Sequence, residues 1–138
     1  MNGGKYEKKD FNEEVRSLLN DEEIDKILNL KDENVELFVK KAEECAKEFK
    51  FSASKLRSFY DPIKGMKEYQ KIKLYLLKPK IAYAVGKEER ERRLELKKFQ
   101  KTMEKLIEKT NENNFENFKS FFEAIVAYHK IYGGKKWN

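Results

Sequence analysis

Three lysines lie within one apolar segment, residues 76–87, whose sequence is LLKPKIAYAVGK. Lys78, Lys80 and Lys87 alternate there with aliphatic and aromatic side chains around Pro79. A segment that only fills a core does not need lysines at this density, and one that only binds polyanions does not need so many apolar residues. The combination indicates basic side chains held on a buried scaffold, an arrangement that binds a nucleic-acid backbone without distinguishing its bases.

Charge is distributed unevenly along the chain. Residues 1–50 contain ten Lys/Arg and fourteen Asp/Glu, a balance of −4, whereas residues 51–138 contain 21 and 11, a balance of +10, which together give the net charge of +6. This separation suggests one face for a polyanion and another for a basic partner, so that the acidic part of one copy could meet the basic part of the next. Solvated helix faces that merely differ in sign are the alternative.

Groups that could catalyse a reaction or bind a metal are few. The sequence has no Gly-rich phosphate loop, no HExxH or CxxC motif and no Gly-x-Ser-x-Gly elbow. The single histidine, His129, has no identifiable nucleophile or orienting carboxylate beside it, so we expect a structural role or an incidental RNA contact. Cys45 lies on an apolar stripe and should be a buried thiol. We expect no enzymatic activity, no metal and no cofactor; a small hydrolase or nuclease is the least favoured alternative.

Length and composition set limits on the fold. The 138 residues fit a single helical domain with one core, in which residues 1–10 and the tail 135–138 are expected to be flexible. Aromatic residues make up 13% of the chain, which argues against disorder. One cysteine excludes an intramolecular disulfide, and neither a signal peptide nor a membrane-spanning apolar run is present. We therefore expect a soluble, cytoplasmic protein without membrane contact.

Apolar spacing predicts helices along the chain. The clearest covers about residues 33–50 and begins at a capping residue, Asp32. Before it, the phase of the apolar residues shifts near Asn20 and Asp21, so two short helices or one broken helix both fit. The stripe of the clearest helix consists of Val35, Phe38, Val39, Ala42, Cys45, Ala46 and Phe49.

Capping residues and prolines divide the central part of the chain. Ser52 or Ser54 can cap the next helix, which Pro62 should kink or restart. Pro79 raises the same question inside the lysine-bearing segment, and Gly86 is well placed to end that helix.

The remaining segments are also helical. A helix begins at Glu89, a turn covers residues 111–114, and an aromatic helix runs from Phe115 to a stop at Gly133 and Gly134. No stretch of useful length alternates with the period of a strand. The predicted fold class is all-α, a single-domain bundle of five or six helices.

Three segments together resemble a known family: SASKLRSFYD (52–61), LYLLKPKIAYAVGK (74–87) and NFKSFFEAIVAYHKIYGG (117–134). They are similar to the small subunit of type III-A CRISPR effector complexes, the Csm complex, over about residues 50–134. The middle segment is the most specific, because the family favours a Leu-rich stretch before Lys/Arg-Pro-Lys, then Ala-Tyr-Ala and a Gly followed by a basic residue. Two positions depart from the family: Pro62 interrupts a helix that usually runs on, and Lys87 stands where arginine is common.

The resemblance implies a non-catalytic helical subunit of an RNA-guided antiviral ribonucleoprotein. Members of the family stack in a short row along the crRNA–target RNA duplex, so the implied partners are crRNA, target RNA, the backbone and large subunits, and further copies of this chain. Contacts beside a guide RNA need only be sequence-independent. The residues expected to bind RNA are Lys55, Arg57, Lys78, Lys80 and Lys87 from the matched segments, and Lys64, Lys67, Arg90, Arg93 and Lys130 by charge alone.

A second function also fits these residues. A helical adaptor could use the same basic surface to bind an acidic protein and never touch RNA. Tyr83 and the aromatic residues 115–132 are expected in the core, because helical spacing explains them without base stacking. Self-association is expected as well, and a head-to-tail row and a symmetric dimer both remain open.

Overall fold

The structure is a computed structural model that describes residues 15–132. Within that range the chain forms seven α-helices, one short 3-10 turn and no β-strand. Only Leu76, whose backbone is itself helical (φ −69°, ψ −12°), separates the helix Lys71–Tyr75 from the helix Leu77–Lys87. These two form one interrupted rod, so the bundle has six helical rods. The predicted all-α bundle of five or six helices is confirmed. The helices are α1 (Asp21–Leu28), α2 (Val35–Glu48), α3 (Ala53–Lys64), α4 (Lys71–Tyr75), α5 (Leu77–Lys87), α6 (Arg90–Lys109) and α7 (Phe115–Tyr132).

Some predictions concern residues outside this range. They are the flexible segments 1–10 and 135–138 and the helix stop at Gly133 and Gly134.

The core is contiguous, and phenylalanine supplies much of it. Phe99 of α6 is fully buried, and its ring centroid lies 5.2 Å from that of Phe49 and 5.5 Å from that of Phe51. Phe59 of α3 stacks on the same ring at 5.2 Å. Helix α7 packs mainly against α2 and α3, while α5 packs against α6. Pairs of this kind contribute about 0.5–1.5 kcal/mol each beyond the area that they bury.

Two aromatic residues predicted as core are exposed instead. Tyr83 is 71% exposed and Tyr132 is 43% exposed. Tyr83 lies on the side of α5 opposite the buried residues Leu77 and Ile81, so helical spacing alone assigned it to the wrong face. The other aromatic positions of α7 behave as predicted, and Phe115, Phe118, Phe121 and Phe122 are buried.

Capping decides where α1 and α2 begin. Asn20 Oδ1 accepts a hydrogen bond from the Glu23 N–H at 2.8 Å, and Glu23 Oε1 accepts one from the Asn20 N–H at 3.0 Å. This capping box begins α1 at Asp21, and residues 15–20 are not helical. Asp32 does not cap α2 as predicted: it opens a 3-10 turn over Asp32–Asn34, and α2 begins at Val35.

The two prolines act differently. Helix α3 runs through Pro62 to Lys64, so of the two predicted alternatives, a kink or a restart, the restart does not occur. Pro79 falls in the first turn of α5, where a missing N–H costs nothing because those donors have no partner within the helix. Gly86 is the last residue but one of α5, close to the predicted helix end.

Candidate nucleic-acid interface

Two of the three lysines in the segment 76–87 are engaged within the molecule. Lys78 Nζ lies 2.8 Å from Glu108 Oε2 of α6, and this contact raises the pKa of Lys78. Lys80 Nζ donates a hydrogen bond of 2.7 Å to the Ser58 carbonyl oxygen of α3. The segment therefore joins α5 to its neighbours through lysine side chains, in addition to its apolar face.

Lys87 differs from these two. It is exposed, and its Nζ lies 5.4 Å from the ring centroid of Tyr83. A cation over an exposed ring keeps most of its hydration, so its charge remains accessible to a phosphate. Among the lysines of the segment 76–87, Lys87 is the one best placed to meet RNA.

A second group of predicted residues meets where α5 passes into α6. Lys55 Nζ, at the start of α3, lies 3.2 Å from Glu88 Oε2. Arg93 donates from its terminal nitrogen to the Glu88 carbonyl oxygen at 2.9 Å, which satisfies the end of α5. Arg90 is exposed at the first position of α6. The structure thus brings Lys55 and Arg93 together at Glu88, with Lys87 and Arg90 beside it in the chain.

The remaining predicted residues lie on α3, in the loop that follows it and on α7. Arg57 and Lys64 are exposed and seven residues apart, which places them on one face of that helix. Lys67 is exposed in the loop that follows, and Lys130 is exposed near the end of α7. Within residues 15–132 none of these four side chains forms a salt bridge.

Helices α3 and α7 lie next to each other where these exposed cations occur. The Tyr60 hydroxyl is affected by both Arg57 and Glu123 of α7, although burial is the main reason that the pKa of Tyr60 is raised. Lys119 of α7 donates a hydrogen bond of 2.7 Å to the Met66 carbonyl oxygen, next to Lys67. We call the exposed cations Arg57, Lys64, Lys67 and Lys130 the α3–α7 face.

Much of the basic character of α6 is neutralised by the acidic N-terminal part of the chain. Lys105 Nζ lies 2.9 Å from Asp21 Oδ1, and this bond lowers the pKa of Asp21. Lys109 Nζ lies 3.1 Å from Asp25 Oδ1. A third pair joins Lys98 to Glu48 of α2 at 3.5 Å. The separation of charge along the sequence is thus partly used inside the fold, where each exposed pair is worth no more than about 1 kcal/mol.

Sequence reasoning missed three further lysines that lie outside the core. Lys71 and Lys73 are exposed on the short helix α4, and Lys119 is half-buried above the loop that holds Lys67. A signal for one of them was present, because Lys73 recurs with Lys80 and Lys87 every seven residues along the α4–α5 rod.

His129 and Cys45 are titratable side chains that are buried within the fold. His129 is 1% exposed, and its Nε2 lies 2.7 Å from the Phe49 carbonyl oxygen, so the predicted structural role holds and an RNA contact is excluded. Burial lowers the pKa of His129, and the carbonyl groups at Phe49 and Phe51 only partly offset it. Burial raises the pKa of Cys45 to about 12, so this thiol is not an activated nucleophile.

The described residues lack two further kinds of site. No group of three His, Cys, Asp or Glu side chains is arranged to hold a metal ion between residues 15 and 132. In the same part of the chain, no helix combines the length and the apolar character that crossing a membrane requires.

Comparison with known proteins gives one match. The model of the Csm2 type III-A family matches residues 32–135, which covers α2 to α7 and most of the chain. The match begins upstream of residue 50, where the resemblance of the three segments was expected to begin. No curated protein and no solved structure matches.

Proposed function

We propose that this chain, a member of the Csm2 type III-A family, holds RNA by the sugar-phosphate backbone without catalysing a reaction. Membership of that family makes it a small subunit of a type III-A CRISPR (Csm) complex. In this proposal the RNA is the target strand or its duplex with crRNA, and base pairing between the two strands supplies the sequence specificity. The subunit would act in the cytoplasm beside the backbone and large subunits, in contact with further copies of itself.

The observation that carries the proposal is the difference between two sets of cations. Lys98, Lys105 and Lys109 of α6 each lie within 3.5 Å of a carboxylate of α1 or α2. The four cations of the α3–α7 face are exposed and have no such partner in the described chain. An unpaired cation gains more from a phosphate, because it does not first have to give up a carboxylate.

Lys87 extends this surface at the junction of α5 and α6, near Arg90 in the chain. Both are exposed there, beside the Lys55–Glu88 pair. Lys55, Lys78, Lys80 and Arg93 remain candidates with a smaller expected share, because their charged groups already have intramolecular partners.

The test is RNA binding across a salt series, with an unstructured single-stranded RNA about forty nucleotides long. Contact with about four to six phosphates predicts a slope of log affinity against log salt near −3 to −4. The variant Arg57→Gln/Lys64→Gln/Lys67→Gln should bind more weakly, and its slope should be shallower by about 2, since three cations are removed. The variant Lys78→Ala/Lys80→Ala/Lys87→Ala should show a smaller change, carried by Lys87.

A matched control removes the same amount of charge from the paired set. Lys98→Gln/Lys105→Gln/Lys109→Gln also loses three positive charges, yet it should leave the slope nearly unchanged. Equal losses in all three variants would mean that net charge alone drives binding and would refute the α3–α7 face. A wild-type protein that does not bind RNA at low salt would refute RNA holding and favour the adaptor, whose acidic protein partner would then be sought.

A further inference from the structure

One side of the α4–α5 rod is apolar and fully open to solvent. Ile72, Leu76 and Tyr83 are 77%, 61% and 71% exposed. Together with Pro79, which is also exposed, they are spaced at i, i+4, i+7 and i+11 and so form one stripe. A large apolar side chain exposed singly is ordinary, whereas a continuous stripe of them marks an interaction surface.

The opposite side of the same rod already has a partner. Leu74, Leu77, Ile81 and Val85 are buried against the bundle. The rod is thus apolar on two opposite sides. Nothing within residues 15–132 covers the second side.

Two small residues lie beside the stripe, at Ala82 and Gly86. Both are exposed, and a Cβ atom added to Gly86 would have no neighbour within 4 Å, so no contact inside the molecule requires a glycine there. A glycine within a helix costs about 1 kcal/mol relative to alanine. Close approach of a second helix from outside would explain it. We call Ile72, Leu76, Pro79, Ala82, Tyr83 and Gly86 the α4–α5 face.

Lysines border this face on both edges. Lys73, Lys80 and Lys87 follow one edge at seven-residue intervals, and Lys71 and Lys78 lie along the other. Lys78 and Lys80 already have partners within the molecule, and Lys87 is proposed to meet RNA, so Lys71 and Lys73 are the ones left for a neighbour. A fitting partner therefore has an apolar centre with carboxylates that reach these two lysines.

The chain itself presents such a surface on α2. Val35 and Val39 are 40% and 41% exposed at i and i+4. Glu36 and Glu43 lie on the same side of the helix as the valines, and Asp32 is exposed in the 3-10 turn that precedes it. Exposed apolar residues at the end of α7 adjoin them, because the Tyr132 hydroxyl donates to the Glu43 carboxylate. We call Asp32, Val35, Glu36, Val39 and Glu43 the α2 face.

From these two surfaces we infer that the α4–α5 face of one copy packs against the α2 face of the next copy. Helix α2 packs on α1 and α7, whereas α5 packs on α3, α4 and α6, so the two faces belong to different sides of the molecule and can be occupied at once. Such an interface is heterologous and extends into a row instead of closing into a symmetric pair. The inference rests on the proposed stacking of the subunit and assigns the surfaces that perform it.

The test is sedimentation velocity over a concentration series, with and without RNA, for two variants. Ile72→Glu/Leu76→Glu disables the α4–α5 face, and Val35→Gln/Val39→Gln disables the α2 face. All four side chains are exposed, so the fold should survive, which circular dichroism and thermal unfolding would check. Wild type should form species larger than dimers, and each variant alone should associate at least tenfold more weakly, which is about 1.4 kcal/mol.

Mixing the two variants gives the decisive result. Each variant keeps one intact face, so an equimolar mixture should form dimers and stop there. If only Ile72→Glu/Leu76→Glu loses association and the mixture forms no heterodimer, the contact is symmetric and the head-to-tail inference is overturned. A wild type that stays monomeric with and without RNA overturns it as well.

The same samples separate this inference from RNA holding. Rows that form in a protein that does not bind RNA would leave the interface standing and refute the RNA proposal. A salt slope near the expected value, in a protein whose two variants form no heterodimer when mixed, would support RNA holding and refute the interface.

Discussion

At the scale of single residues, Pro62 leaves one carbonyl group of α3 without its usual donor. Position 62 would donate to the Ser58 carbonyl oxygen in a regular helix, but proline has no N–H. Lys80 Nζ lies 2.7 Å from that oxygen and 5.9 Å from the ring centroid of Phe59. The side chain of α5 thus replaces the missing donor, which explains how α3 continues through the proline to Lys64.

This arrangement predicts an energetic coupling between Lys80 and Pro62. Lys80→Met keeps the aliphatic stem but removes the donor, and it should lower the free energy of unfolding by about 0.5–1 kcal/mol. In a Pro62→Ala background the restored N–H donates to Ser58, so the same substitution should cost clearly less. Urea unfolding of the four proteins of this double-mutant cycle measures the difference. Equal costs in both backgrounds would show that Lys80 does not act through the carbonyl group.

The buried His129 predicts a loss of stability in mild acid. Burial lowers its pKa in the folded state below the ordinary value of 6.5, so the unfolded chain binds the proton more readily than the folded one. Its contribution is present above about pH 6.5 and is lost as the pH falls through the lower pKa of the folded state. The free energy of unfolding should therefore decrease between about pH 7.5 and pH 5, by at most about 1.4 kcal/mol per pH unit.

The chain has only one histidine, which makes the control simple. His129→Gln keeps a donor near the Phe49 carbonyl oxygen but does not titrate in this range. Its stability should change less with pH than that of wild type in the same denaturant series. If the two pH profiles are parallel, carboxylates and not His129 cause the effect.

At the scale of elements, the structure decides between two serines that both fitted the start of α3. Ser52 Oγ accepts a hydrogen bond of 3.0 Å from the Lys55 N–H, and Ser52 is 3% exposed. Ser54 is exposed in the first turn. Ser52→Ala should lower the free energy of unfolding by about 1 kcal/mol, whereas Ser54→Ala should stay within about 0.5 kcal/mol of wild type. Comparable costs for both substitutions in urea unfolding would contradict the assigned cap.

The spacing of apolar residues predicted the bounds of the longer helices closely. The helix expected over about residues 33–50 runs from Val35 to Glu48, and the turn expected at residues 111–114 is present. The errors fall where a local rule had competitors. Asp32 has the residue type of a cap, but the chain enters α2 through a 3-10 turn, and period alone could not tell which apolar side of the α4–α5 rod faces the bundle.

At the scale of the whole molecule, the sequence predicted the amount of charge on each part but not its use. Lys105 and Asp21 are 84 positions apart, and so are Lys109 and Asp25. No local pattern links residues at that separation, because their contact depends on how α1 lies against α6. The ten predicted RNA-binding residues stay a prediction, and the structure ranks them by which cations already hold a partner.

The core includes residues that precede the start of the family match, which leads to a last prediction. The match begins at residue 32, yet Ile24, Ile27 and Leu28 of α1 are 0%, 0% and 1% exposed. Burying each such side chain is worth about 1.5–3 kcal/mol, roughly 5–9 kcal/mol together, whereas whole domains are stable by only about 5–15 kcal/mol. A chain that begins at residue 32 should therefore lose its cooperative thermal transition. A control that begins at Val15 keeps every described contact of α1 and should retain it, and equal transitions in both would mean that α1 lies outside the cooperative unit.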